Sequence, residues 1–564
     1  MSLGSVRTSC TTSSTSGPDP DLLMLGCGTA RLIAPGVAVS FVARHADSVS
    51  SRNRRRYTNE RPSMKHLFID DYELEEIDNL ARKLHQPQKF RGNAVVRPEN
   101  RWENMEVQIR TTPAWDPEEG MFKMLYQAGA EGPDPNLTLD VTGAPAGRES
   151  FMCLATSADG VNWEKPNLGL VEYHGLLWND KPIGKENNIV GSSRSLFLAP
   201  IYDATDPDPE RRYKGMGWWP GHDGLTPVIS RDGLRWKPLE QFNVPSSDEA
   251  HLTHMPDEKR FVAMVKNRGP GGRAPYGRSH CLSTSEDFEN WSELELVFHA
   301  DQQDQENGEE RIARFIEDPE YLSPVYNRPE EYRTDVYNFP VFKYEGIYLG
   351  LPVMHHWIGK HAPLYENVDS RKSVELASSR DLRTWERVAN RAPFLELSKE
   401  GDGSAYDTGQ VVVTNGPVAR NNELWFYYGA GRHRSLSIED TLNRKYLDGG
   451  AACMARLRLD GFVSLKGGIE WGSVTTKPVE VSGDQLHTNV DSWRGKVIAE
   501  ILDVADGTPI AGFAADDCVP AVLDNIDHTM SWKGGGDLAS LRGRTVRLRF
   551  SLWNGEIYSY WFGD

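Results

Sequence analysis

The sequence is poor in the residues that build disulfide frameworks, zinc sites and membrane helices. Six cysteines are spread over 564 residues, and no two of them have a Cys-x-x-Cys spacing, which disfavours both a disulfide scaffold and a zinc site. No apolar run approaches the length of a membrane-spanning helix. Lys and Arg number 63 against 81 Asp and Glu, so neither nucleic acid nor an anionic membrane surface is an expected partner.

Cofactor signatures are also missing. The sequence has no phosphate-binding loop, no dinucleotide-binding glycine fingerprint and no zinc-helix motif. The Gly-rich run at residues 269–273 does not lie between a strand and a helix. We therefore expect no cofactor and no metal, and the sequence does not indicate an oligomeric state.

Residues 1–63 differ in composition from the rest, being rich in Ser, Thr and Arg. Their apolar piece, residues 32–42, is short and is interrupted by Pro35, unlike a secretory signal. We expect a disordered extension, or a start placed too early, with the true beginning at Met64. A transit peptide also fits the composition, but without a clear signal peptide a cytoplasmic location is favoured.

One short pattern repeats along the chain. Ser-x-Asp-x-x-x-Trp occurs four times, and residues 458–462 form a degraded fifth copy; the four are residues 157–163, 230–236, 285–291 and 379–385. Asp can accept hydrogen bonds from turn amides, and the Gly that follows it in two copies tolerates positive φ. Each copy therefore predicts a hairpin whose Trp lies on the returning strand.

An aromatic-rich strand candidate precedes each hairpin, for example residues 121–127 and 347–354. A first strand, the aromatic strand and the hairpin make four strands, and five such units in tandem predict an all-β, five-bladed β-propeller. The predicted blades are residues 95–163, 187–236, 248–291, 335–385 and 407–465. Insertions between them, such as residues 300–333, are predicted to be loops around the mouth.

The Ser-x-Asp repeat does not continue after the fifth unit. Short strand candidates separated by turns such as Asp506-Gly507 predict a C-terminal β-sandwich. The predicted domains are an extension (1–63), a propeller (64–465) and a β-sandwich (466–564). Residues 72–84, a short charged stretch, could form one or two helical turns.

Three segments resemble bacterial proteins grouped near glycoside hydrolase family 32: residues 67–71 (LFIDD), 155–166 (ATSADGVNWEKP) and 455–465 (ARLRLDGFVSL). The resemblance covers roughly residues 64–564 and implies the propeller fold and sugar cleavage. The Trp-x-Asn-Asp-Pro-Asn nucleophile motif and the Arg-Asp-Pro motif of true family 32 fructosidases are absent. Glu317-Asp318-Pro319 is only a faint echo of the second motif, so fructan specificity does not carry over.

In a propeller the innermost strand of every blade lines one funnel, so acids far apart in sequence converge. Glycosidic cleavage commonly uses two carboxyl groups. The acids predicted to lie on inner strands, of which we expect two to be catalytic, are Glu106, Asp248, Glu249, Asp335 and Asp407. Asp335 is the first choice because an apolar run follows it directly.

Cationic and aromatic residues near the same strands could bind the substrate. A His could contact sugar hydroxyls, or could act with Arg on an anionic group. The predicted substrate-binding residues are Trp102, Arg194, His254, Arg278, Tyr337, His355 and His356.

The leading interpretation is a glycoside hydrolase that acts on a terminal sugar or short oligosaccharide. An inverting sugar phosphorylase is the alternative; it needs one acid and a basic phosphate pocket, for which Arg194, Arg273 and Arg278 are available. A non-catalytic sugar-binding propeller is the third interpretation. The sequence does not reveal the sugar or the linkage.

Overall fold

A computed structural model describes residues 64–131, 148–174, 184–192, 200–219, 221–222, 224–239, 244–246, 248–267, 275–360, 368–534 and 536–564. The predictions for residues 1–63, for Arg194 and for Arg273 lie outside these ranges. Among the described residues no helix is long and apolar enough to span a membrane. Strands dominate throughout, as the repeats predicted.

Three blades are antiparallel sheets with the strands in chain order. Blade one also pairs a short strand, Ala114–Asp116, with its second strand. The main strands of blade one are Glu106–Gln108, Met121–Ala130, Glu149–Ser157 and Ile189–Ser192. Those of blade two are Ile201–Tyr202, Tyr213–Trp218, Leu225–Ser230 and Trp236–Pro238. Those of blade three are Ala250–Met255, Arg260–Asn267, Ser279–Ser285 and Glu295–Phe298.

Blade four is divided into two sheets by proline. Pro340 and Pro352 have no N–H to give to a ladder, and they interrupt its first and second strands; two bonds from backbone N–H groups to their carbonyls bridge the gap. One sheet contains Arg333–Asn338, Val353–Lys360 and Val368–Val374. The other contains Val341–Tyr344, Ile347–Gly350, Ala377–Ser379 and Glu386–Arg387.

Blade five is closed by a strand from the beginning of the described chain. Gln88–Val96 pairs with the third strand of the blade, and the chain then enters blade one. The strands of this blade are Gln410–Val413, Glu423–Gly431, Gly450–Arg458 and Gln88–Val96, with Val418–Arg420 at the side. The five sheets form the predicted all-β, five-bladed β-propeller, which the C-terminal sandwich follows.

The repeated hairpins have the predicted hydrogen bonds. Asp159 accepts bonds of 2.8 Å from two amides of its turn, and the Trp163 indole donates to the Gly160 carbonyl. Two copies have Phe288 or Leu382 where the others have Gly, at φ of +67° and +65°. Both side chains are fully buried, so core packing offsets the strain of a left-handed residue.

Three local predictions are wrong. The returning strand after residues 458–462, Val463–Gly467, pairs with Leu80–Leu84 and with the last strand of the chain, not with blade five. Residues 72–84 are not helical, because they contain two strands that gain ladder partners in the C-terminal sheets. Ile189–Ser192 completes blade one instead of starting blade two.

Two antiparallel sheets pack around one core in the C-terminal part. The first contains His66–Leu67, Leu80–Leu84, Val463–Gly467, Glu556–Gly563, Gln485–Asp491 and Asp524–Thr529. The second contains Leu74–Asp78, Gly472–Thr476, Thr545–Trp553, Val479–Glu480 and Lys496–Asp503. Cys518–Val519 and Ser531–Trp532 form a small separate pair. Because strands from residues 66–84 belong to these sheets, this short segment pairs with the C-terminal part.

Helices are few in the described part of the chain. The longer one, Gln302–Glu317, occupies an insertion that was predicted to be a loop; the other is Ile438–Leu442. The segment Gln302–Glu317 is a helix and not a loop because Asp301 caps its first turn and because Ile312 and Phe315 give it a buried apolar side. Turns of 3-10 helix are Arg101–Glu103, Pro209–Arg211, Pro256–Glu258, Pro329–Glu331, Val388–Arg391 and Leu538–Leu541.

Candidate active site

Asp335 lies on the inner strand of blade four, directly across from His355 on the next strand. Its carboxylate accepts hydrogen bonds of 3.0 Å from His355 Nδ1 and 3.0 Å from Arg278 Nη1. Burial alone would raise the pKa of Asp335, but the His355 hydrogen bond and the Arg278 charge outweigh it and hold that pKa well below its usual range. Asp335 is therefore an ionised, buried carboxylate.

Gly277 allows the Arg278 segment to approach Asp335. Its φ is +111°, and a Cβ placed on it would lie 3.0 Å from Asp335 Oδ2. The backbone N–H of Arg278 also donates to this oxygen, at 3.3 Å. A side chain at position 277 would therefore be strained and would push on the carboxylate.

Glu249 lies at the start of the inner strand of blade three and is held by cations from other parts of the propeller. Arg110 donates to both of its oxygens, at 3.0 and 3.2 Å, and Asn338 Nδ2 donates at 3.1 Å. Burial would raise the pKa of Glu249, but the charges of Arg110 and Lys266 lower it well below its usual range. Glu249 is also ionised at neutral pH.

Asp248 and Glu249 share one ammonium group. Lys266 Nζ lies 3.3 Å from Asp248 Oδ1 and 3.8 Å from Glu249 Oε2, so these two oxygens are at most about 7 Å apart. Paired carboxyl groups in glycosidases are separated by about 5–9.5 Å. The Asp248 side chain is 25 % exposed, against 9 % for Glu249 and 1 % for Asp335, so Asp248 is the member of the group that reaches solvent.

The Tyr337 ring lies among four cations beside these acids. Lys372 Nζ is 3.5 Å and Lys266 Nζ 4.2 Å from the ring centroid, and the guanidinium carbons of Arg278 and Arg434 lie at 5.8 and 5.9 Å. Burial lowers the pKa of Lys372 well below its usual value, and neighbouring arginines add to the effect. The site thus combines carboxylates with an unusual density of basic groups.

Sequence reasoning missed four of these basic residues: Arg110, Lys266, Lys372 and Arg434. Lys266 and Lys372 are fully buried within strands. A single lysine inside an apolar strand, as in residues 262–266, was the available signal, since a buried charge needs a partner. The partners themselves could not be read, because they come from other blades.

Other predicted site residues lie elsewhere in the structure. Asp407 is fully buried, 2.7 Å from Lys89 of the closing strand, and accepts a bond from Tyr428. His254 stacks on Phe261 and lies 3.5 Å from Asp203. Asp407 and His254 thus have partners outside the Asp335–Glu249 network.

Two further predicted residues face away from the acids. Trp102 is buried, donates to Asn188 and packs on Tyr173, so it is a core residue of blade one. His356 bonds Thr334 and Ser373. It points away from Asp335 because consecutive strand residues face opposite sides, whereas His355 faces the carboxylate.

Glu106 lies near the cluster. It is opposite Gly129 in the strand pairing of blade one. Burial would lower the pKa of Arg110, but the charge of Glu249 and, to a smaller extent, that of Glu106 raise it. Of the five predicted acids, Asp248, Glu249 and Asp335 are thus linked through shared cations, Glu106 is at their edge, and Asp407 is apart.

No protein-family model and no curated protein matches this sequence. A β-1,2-mannobiose phosphorylase from Listeria innocua is 11 % identical over 66 % of this chain and 97 % of its own, with a TM-score of 0.39. A family 43 arabinoxylan arabinofuranohydrolase from Bacillus subtilis is 10 % identical over 85 % of this chain and 99 % of its own, with a TM-score of 0.33. TM-scores this low carry no argument about activity, and the fold stands on its own strand pairing.

Proposed function

We propose that the chain cleaves glycosidic bonds, as a hydrolase acting on a terminal sugar or short oligosaccharide. The observation that carries this proposal is the pair Asp248 and Glu249, which share Lys266 and whose oxygens are therefore no more than about 7 Å apart. This upper limit leaves room for the separations that such enzymes use. Both directly precede Ala250–Met255, the first strand of blade three. Groups from blades one, three and four converge on this pair.

The two carboxyl groups have different surroundings, which suggests different roles. Glu249 is ionised and clamped by Arg110, as a base or nucleophile must be held. Asp248 reaches solvent, so it is the member of the pair that the leaving oxygen of a sugar can approach. Asp335 does not meet solvent; it positions Arg278 beside them.

The kinship with family 32-like proteins and the division into a propeller and a sandwich are parts of the same proposal. They are supported by the LFIDD segment at residues 67–71 and by the four complete hairpins. The predicted bounds, 64–465 and 466–564, change only in that residues 66–84 and Val463–Gly467 belong to the sandwich sheets.

A panel of nitrophenyl glycosides and plant or algal oligosaccharides, assayed with and without phosphate, tests the activity. On the best substrate, Glu249→Gln and Asp248→Asn should each lower kcat by about 10²–10⁴-fold. Asp318→Asn, which removes a loop carboxylate outside the site, is the matched control and should retain the wild-type rate. Full activity in both site variants would reject the assignment, and saturable binding without any product would favour a non-catalytic propeller.

The phosphorylase alternative has its own supporting observation. Five basic side chains lie close together here. Arg110 donates a hydrogen bond to Glu249. The other four lie at cation–π distances from the Tyr337 ring, and they are Lys266, Arg278, Lys372 and Arg434. Such a cluster could bind an inorganic phosphate. Turnover that requires phosphate, with release of a sugar phosphate, would select this reaction over hydrolysis.

A further inference from the structure

A cavity of about 910 Å³ lies on the outer hairpin of blade four, where it meets the segment between residues 69 and 82. None of its lining residues belongs to the Asp248–Glu249–Asp335 cluster. Its volume is near the upper end of the range of small-molecule sites, about 300–1,000 Å³. The lining includes Asp70, Tyr72, Arg380, Thr384, Glu386 and Asn390.

The charged groups of this cavity are largely paired with one another or with neighbours. Arg380 Nη2 donates to Asp70 at 3.0 Å, and Arg82 Nη2 donates to Asp71 at 2.5 Å. Arg387 is bound by Glu375 and Asp304. Few charged side chains in this cavity are therefore left to pair with a charged ligand. The hydroxyl groups of a neutral ligand, in contrast, can donate hydrogen bonds to the carboxylates of these salt bridges and accept them from the guanidinium groups.

Tyr72 provides an exposed aromatic ring at the cavity. Tyr72 as a whole residue is 63 % exposed, which is unusual for a large aromatic residue. The Arg380 guanidinium carbon lies 4.7 Å and Lys477 Nζ 5.8 Å from the ring centroid. These two cations hold the ring in place, and Arg380 is itself tied to Asp70. A sugar ring with apolar C–H groups on one face can pack on such a surface while its hydroxyls meet the polar lining.

One wall of the cavity is strained. Ala389 and Asn390, both lining residues, have φ of +50°, and Arg391 follows at +62°. Two salt bridges hold the wall in this conformation, from Arg391 Nη1 to Asp301 at 2.6 Å and to Asp304 at 2.7 Å. Consecutive left-handed residues without glycine occur where the surroundings impose them, and such strain clusters at ligand sites.

We propose that this cavity is a second binding site, for a neutral oligosaccharide, separate from the catalytic funnel. The balanced charge selects against ionic ligands, and Tyr72 supplies a stacking surface. The site holds a glycan chain at blade four and does no chemistry. It does not depend on the proposed hydrolysis, because binding here can be measured in a chain that cleaves nothing.

Native gel electrophoresis in gels containing soluble xylan, levan, mannan or β-glucan tests the proposal. The protein is the full chain carrying Glu249→Gln, so that turnover cannot remove the glycan. At least one glycan should retard it, and adding Tyr72→Ala should weaken that affinity at least tenfold. Glu386→Ala, which removes an exposed acceptor from the lining, should weaken it about threefold.

Trp471→Ala is the matched control, because Trp471 is also an exposed aromatic residue, at 47 % exposure, but lies outside the cavity. It should leave retardation unchanged, and the melting temperature of Tyr72→Ala should show that this variant is folded. Failure of all four neutral glycans to retard the protein would overturn the proposal. So would unchanged retardation in a folded Tyr72→Ala variant, or an equal loss of retardation in Trp471→Ala.

Discussion

Removal of the Asp335 carboxylate tests whether the cluster is held by buried charge. Its side chain is 1 % exposed and that of Arg278 is 6 % exposed, so Asp335→Ala leaves a guanidinium buried without this partner. At 3.0 Å and an effective dielectric constant of about 20, the pair attraction is about 5 kcal/mol before dehydration is subtracted. Truncation of one partner of a buried pair costs about 3–5 kcal/mol, and we expect that loss here.

Two further variants separate charge from shape. Asp335→Asn keeps the size and one acceptor but loses the charge, so its cost should be smaller, about 1–3 kcal/mol. In a double-mutant cycle with Arg278→Gln, the double variant should be less destabilised than the sum of the single variants by at least about 1 kcal/mol. The free energy of unfolding comes from urea titration followed by Trp fluorescence.

An exposed ion pair provides the control. Asp71 pairs with Arg82, and its side chain is 73 % exposed, so Asp71→Asn should change the free energy of unfolding by less than about 1 kcal/mol. If Asp335→Ala were no more costly than Asp71→Asn, or if the cycle were additive, the cluster would not be held by this pair. The assigned role of Asp335 would then be wrong.

Two other perturbations act beside the same cluster, at His251 and Gly277. His251 Nε2 lies 2.7 Å from Asn338 Nδ2, which also donates to Glu249. Burial lowers the pKa of His251 to about 4, against about 6.5 in an unfolded chain. The unfolded state alone therefore binds this proton as the pH falls from 6.5 to 4, which removes up to about 3 kcal/mol of stability. His251→Gln should flatten the decline of melting temperature between pH 6.5 and 5, and an unchanged slope would contradict the buried neutral ring. Gly277→Ala should destabilise the fold by about 1–3 kcal/mol in urea unfolding, and it should also lower kcat. Gly507→Ala is the control for backbone strain alone, because Gly507 has φ of +71° and a Cβ there would meet nothing within 4 Å. Equal stability losses in the two variants would mean that the Asp335 contact costs nothing.

The repeated hairpins could be predicted because their bonds are local. Asp159 accepts hydrogen bonds from amides only two and three residues ahead, so the seven residues of the repeat contain everything that forms the turn. The same repeat predicted five acids on or beside inner strands. It did not separate Asp248, Glu249 and Asp335 from Asp407, which pairs with Lys89 of the closing strand.

The sequence by itself determined the four-stranded repeat with its hairpin, the presence of five such repeats, and the position of the acids along the predicted strands. The tertiary structure alone decided which face each side chain meets and which distant strand completes each sheet. Asp407 and Asp335 look alike as acids that lead into apolar strands, yet one meets Lys89 from the closing strand and the other meets Arg278 from blade three. The reason is physical: a side chain's partner across a sheet is set by packing between segments hundreds of residues apart, and no local pattern records it.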